Sequence, residues 1–153
     1  MQKSFKSVIF QAFFFMGLLF VLNLSLRVIF ILCFKDGVNG VNLDEFVHFF
    51  YNAFRYDGQI IGVMSVVFFF LALLPKEKIV KIYAFLVIFI STFVSVANIG
   101  FYGIYQDVFN ASLLGLIYDD RKAIFETALG ADYGLTYKVL LWLFVSVLFY
   151  ALG

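Results

Sequence analysis

The sequence predicts an all-α integral membrane helical bundle of about four transmembrane helices plus two interfacial amphipathic helices. Three observations carry this. Hydrophobic residues make up 64% of the 153 positions and charged residues only 14%, against roughly 45–50% and about 25% in soluble domains. Four long runs lack formal charge. Two intervening segments place apolar residues at helical spacing with charges opposite them. A soluble domain of this length leaves most residues in contact with water and has no interior for 23 Phe and 9 Tyr. Their solvent is lipid.

The first span covers residues 8–34. Residues 7–26 hold twenty positions without a charge, and the apolar run continues past Arg27 to Phe34. About 20 apolar residues cross a bilayer core. Lys3 and Lys6 in front resemble the basic start of a signal peptide, but the run far exceeds an h-region of roughly 7–15 residues. It is therefore expected to be a retained anchor.

The second span, 58–75, has eighteen charge-free residues ended by Pro75 and the cluster Lys76, Glu77 and Lys78. The third, 82–106, has twenty-five and finishes with Tyr102, Tyr105 and Gln106, which suits the aromatic belt at a membrane interface. The fourth, 137–153, carries Trp142 and Tyr150 and stops while still apolar. Either this helix just reaches the far interface from Tyr137, or the chain is cut from something longer, and the cost of a carboxylate at such depth favours the cut.

Between spans one and two, residues 43–55 carry Leu43, Phe46, Val47, Phe50 and Phe54 with Asp44 and Glu45 at the start, where acids complement a helix dipole. Residues 108–129 place Leu113, Leu116, Ile117 and Ile124 near one face and Asp119, Asp120, Arg121, Lys122 and Glu126 opposite. Both fit helices lying in the interface. Basic residues divide five and five between the two sides, outside Arg27. Their density at the amino terminus and in the Lys76–Lys81 loop puts the amino terminus in the cytoplasm.

Several chemistries have no residues to carry them. Cys33 and His48 are the only cysteine and histidine, so neither an intrachain disulfide nor a usual zinc site can form. The net charge of +1 comes without a basic stripe, which argues against nucleic acid. No phosphate loop or nucleophile elbow is present. No residue is assigned a catalytic or metal-binding role, and no cofactor is expected in this chain. His48 reads as an interfacial polar residue.

Three residues are candidates for lipid-headgroup contact: Arg27, Arg55 and Asp57. Arg27 lies one or two turns from the outer end of its run. It either meets a headgroup phosphate, pairs with Asp57 or another outer acid, or snorkels to the interface. Arg55, Tyr56 and Asp57 offer a cation, an aromatic and an anion at one interface. They either bind a headgroup or provide a helix cap and an aromatic anchor. Asn23 and Ser25 suit helix-to-helix hydrogen bonds.

Three stretches carry a resemblance: Ser25 to Phe30 at the end of the first span; Phe54-Arg55-Tyr56-Asp57 entering the second; and Asn98-Ile99-Gly100-Phe101-Tyr102 through Tyr105 to Asn110, Leu113, Leu114, Tyr118, Asp119 and Asp120. Together they resemble the amino-terminal membrane region of the lipoteichoic acid synthase group, the sulfatase-like phosphoglycerol and phosphoethanolamine transferases of bacterial envelopes. The resemblance implies a multi-pass anchor in the bacterial cytoplasmic membrane. It also implies an extracytoplasmic catalytic domain of the alkaline-phosphatase type, with a divalent metal and a threonine nucleophile. That domain is absent from these 153 residues, so none of its catalytic residues carries over. The expected partners are the bilayer and phospholipid headgroups, and a homodimer is compatible with the sequence. The alternative is a free-standing small membrane protein, a transporter subunit or assembly partner. Against transport, no span carries a row of ionisable residues at mid-depth.

Overall fold

The computed structural model describes residues 4–34, 42–105 and 135–152. They form four helices, α1 (Phe5–Cys33), α2 (Leu43–Ala72), α3 (Glu77–Tyr105) and α4 (Leu135–Leu152), with no strand among the described residues. The first three are long and apolar enough to cross a membrane, and α4 is a shorter apolar helix. The predicted all-α class therefore holds among the described residues, with three helices rather than four long and apolar enough to cross a membrane. The interfacial helix expected over 108–129 lies outside the described residues.

Helix α1 starts from Ser4, whose extended backbone carbonyl accepts from Ser7 and Val8 N–H at 2.9 and 3.2 Å. It buries Val8, Ala12, Phe15, Leu19, Leu22 and Leu26. Those positions alternate steps of four and three, the spacing of a helix seam against its neighbours. Because α1 is apolar on every side, only packing reveals this stripe; the outward Phe10 and Phe13 are just as hydrophobic and stand 72% and 65% exposed.

The structure corrects the expectation of a separate helix over 43–55. Those residues are the first half of α2, which runs unbroken from Leu43 to Ala72. The physical reason is the position of the stop and start signals. Asn42 and Glu45 close a capping box, in which Asn42 Oδ1 accepts from Leu43 N–H at 2.9 Å and Glu45 accepts from Asn42 N–H at 3.3 Å. Nothing between Arg55 and Gly58 then breaks the helix. Gly58 is tolerated in mid-helix and sits close to Phe20, whose ring tip would be 3.6 Å from an added Cβ. The helix ends just before Pro75, which lacks an N–H and pushes the preceding residue out of the α region.

Helices α1, α2 and α3 pack against one another, and α4 attaches along α3. At the centre, Phe15 stacks on Phe68 with ring centres 4.3 Å apart, and Tyr83 leans against both. Polar atoms inside this apolar bundle need partners. Tyr83 donates to the Met64 carbonyl at 3.0 Å, tying α3 to α2. Thr92, fully buried, donates to its own helix at Ile88 O, 2.7 Å away. Trp142 Nε1 donates to Phe89 O at 3.1 Å and fixes α4 on α3.

Candidate functional site

The strongest polar feature joins α1 to α2. Arg27 Nε donates to Asp57 Oδ2 and Arg27 Nη2 to Asp57 Oδ1, both at 2.9 Å. Two parallel bonds of this kind match the planar fork of a guanidinium to both carboxylate oxygens. The side chains are 31% and 20% exposed, so the pair borders an opening rather than sitting sealed in the core. Its position, six residues before the end of α1, lets the two charges neutralise each other where a lone charge would be expensive.

Local sequence arranges the surroundings. Asn23 precedes Arg27 by four residues and so lies on the same face of α1. Phe49 precedes Asp57 by eight, two turns up α2, and its ring centre is 5.9 Å from the Arg27 guanidinium carbon. That is within cation–π range. Ser95 and Asn98, three apart on α3, complete the lining with Leu26 and Phe30. Together these side chains border a cleft of about 210 Å³. On the other side of the ion pair stands an apolar wall of Phe20, Leu24, Phe50, Ala53 and Phe54. Beyond the cleft, Tyr102 packs between Phe30 and Phe34, with ring centres 5.1 and 4.6 Å away.

The cleft therefore offers a cation, an anion, an aromatic face, two amides and a hydroxyl. That set can hold a polar or zwitterionic group by charge-assisted hydrogen bonds. It has no nucleophile beside a base, and no three His, Cys, Asp or Glu side chains gather among the described residues.

Of the three residues expected to meet a headgroup, the structure joins two. Arg27 and Asp57 form the pair. Arg55 is exposed and does not line the cleft, because residues two apart on a helix point in nearly opposite directions. Asp57 is not a helix cap either; it lies in the middle of α2. Tyr56 and His48 are exposed on the same helix. Phe49, Ser95 and Asn98 were not candidates from the sequence. The signal was available: Ser95 and Asn98 are polar residues at helical spacing inside a run otherwise almost wholly apolar.

No protein family, curated protein or solved structure matches this chain. Its function has to be argued from this cleft.

Proposed function

We propose that the cleft binds a phospholipid headgroup, and that the chain is the membrane-anchoring portion of a bacterial envelope sulfatase-like transferase. Such an enzyme moves a phosphoglycerol or phosphoethanolamine headgroup from phospholipid to a cell-envelope acceptor. The observation that carries the headgroup reading is the Arg27–Asp57 fork opening onto a cleft with Phe49 and Asn98. In this reading all four helices cross the cytoplasmic membrane, with the amino terminus inside and the cleft toward the outer leaflet. Arg27 meets the phosphate while Asp57 and the amides receive the hydroxyl or ammonium end. Arg55, outside the cleft, adds positive potential at the surface.

The transferase assignment rests on the three stretches of similarity quoted above. Tethering supports it physically. A lipid donor is confined to two dimensions, so an anchor that holds a catalytic domain against the membrane turns a bimolecular search into a local one. The second reading, a free-standing assembly partner, is favoured by a different observation. Leu43, Val47, Tyr51 and Phe54 form an exposed apolar stripe along the first half of α2, as a docking helix would.

Two measurements decide between these readings. Titrating the protein with short-chain phosphatidylglycerol and phosphatidylethanolamine should shift the amide resonances of Asn23 and Asn98. Arg27→Gln should weaken that binding about tenfold, the loss expected when a charge-assisted contact is removed. Equal binding by the variant would sink the headgroup role. The intact mass of the protein made from its own gene then tests the anchor role. A mass far above that of 153 residues supports the transferase, and a mass equal to it leaves the assembly partner.

A further inference from the structure

The bundle has a second and larger groove, at the end opposite the ion pair, and the headgroup cleft does not account for it. Its volume is about 350 Å³, within the range of roughly 300–1,000 Å³ that small-molecule sites occupy. It exists because α1 and α4 scarcely touch each other while both flank α3. Helix α1 contributes Phe14 and Leu18, and α3 contributes Lys81, Ala84 and Ile88. Those α3 positions follow steps of three and four, so they make one continuous strip about 10 Å long.

The strip is graded. Glu77 and Lys81, in the first turns of α3, and Gln11 of α1 are its polar members, and the rest of the lining is apolar or aromatic. A site polar at one end and greasy at the other fits an amphiphile aligned with the helices. The charge around the mouth selects the sign of its head. Lys6, Lys76, Lys78 and Lys81 are all exposed at this end, and Glu77 is the one acid there among the described residues. Such a cluster beside a membrane span draws anionic lipid. Lys81 has the reach to lay its stem along the groove and its ammonium at the headgroup level.

We propose that this groove seats one acyl chain of an anionic phospholipid from the leaflet on the Pro75 side, with Lys81 against its phosphate. The site is separate from the Arg27–Asp57 cleft, lies at the other face of the membrane, and takes a lipid as a resident ligand.

The test uses the full chain, delipidated in detergent and examined by native mass spectrometry with phosphatidylglycerol and phosphatidylcholine in competition. The expected result, read in the Arg27→Gln background so that the headgroup cleft does not contribute, is one retained phosphatidylglycerol per chain, with phosphatidylcholine disfavoured. Lys81→Gln, at an exposed position that leaves the packing intact, should reduce that preference roughly fivefold, the share of one lysine near an anionic surface. Ala84→Phe fills the groove and should abolish retention while the helical circular dichroism stays unchanged. Equal retention of both lipids, or an unaltered preference in Lys81→Gln, overturns the proposal. So does a dimer that carries no lipid, which would make a second copy the occupant. If Ala84→Phe loses helicity, the Lys81→Gln preference alone decides.

Discussion

The seam between α1 and α2 and the seam between α3 and α4 solve the same packing problem with different chemistry. Both join two apolar helices in surroundings where burial of more hydrocarbon gives little extra drive, because lipid is as apolar as the partner. The α3–α4 seam closes with neutral parts. Trp142 sits against Phe89 and Phe93 with ring centres 4.4 and 5.2 Å away, and Tyr150 meets Phe85 edge-on. One indole hydrogen bond to Phe89 O gives direction. The α1–α2 seam instead holds a full charge pair at its open end. Two neutral helices do not need a salt bridge to associate, and replacing buried ion pairs with apolar residues is often neutral or stabilising. The charges at this seam are therefore not required for helix association, which agrees with the proposed headgroup role.

That contrast can be broken most sharply by orphaning one charge. Asp57→Ala leaves Arg27 partly buried without its carboxylate and should lower stability by about 2–3 kcal/mol, somewhat below the figure for a fully buried pair. Unfolding in mixed micelles would show it. The joint replacement Arg27→Leu with Asp57→Leu should restore most of that stability while headgroup binding stays lost. A double variant as unstable as Asp57→Ala would make the pair structural. At the other seam, Trp142→Phe removes the indole hydrogen bond and part of the ring surface against Phe89 and Phe93, and should cost about 1 kcal/mol, of which the bond supplies about 0.6, the mean for such bonds between membrane helices. Smallest of all, Arg55→Ala should leave unfolding within about 0.5 kcal/mol of wild type, as surface changes do. Vesicle titrations should show only a modest, salt-sensitive fall in lipid association.

The legible parts of the fold were those set by composition and by strong punctuation. The extent of α1, the stop at Pro75 and the run of α3 all follow from the absence of charge and from one proline. The inward stripe of α1 was hidden, because Phe10 and Phe15 look alike until a neighbour covers one of them. The continuity of α2 was hidden too. Asp57 reads as a helix start when its partner is unknown, and the capping box at Asn42 and Glu45 lies fifteen residues earlier, in a segment that looks amphipathic by itself. The Arg27–Asp57 pairing was among the alternatives the sequence allowed, since both residues fall near one interface. Ser95 and Asn98, three apart, mark a polar face of α3, but that this face meets Arg27, and that Phe49 joins it, follows only from tertiary packing across three helices, which spacing within a helix cannot report.

The unbroken course of α2 gives the protein a sensitivity to bilayer thickness. Its 30 residues make a rod about 45 Å long at 1.5 Å per residue, while a hydrocarbon core is about 30 Å thick. The charge-free run 58–75 accounts for only about 27 Å, so the excess is the half that carries Asp44, Glu45, Arg55 and Asp57, which tilts or stands above the hydrocarbon. Each choice moves Asp57 relative to the membrane plane, and Arg27 moves with it through the fork. A thin membrane would lift the pair toward water and a thick one would sink it. The depth at which the proposed cleft would meet a headgroup is thus set jointly by the protein and by the lipid around it.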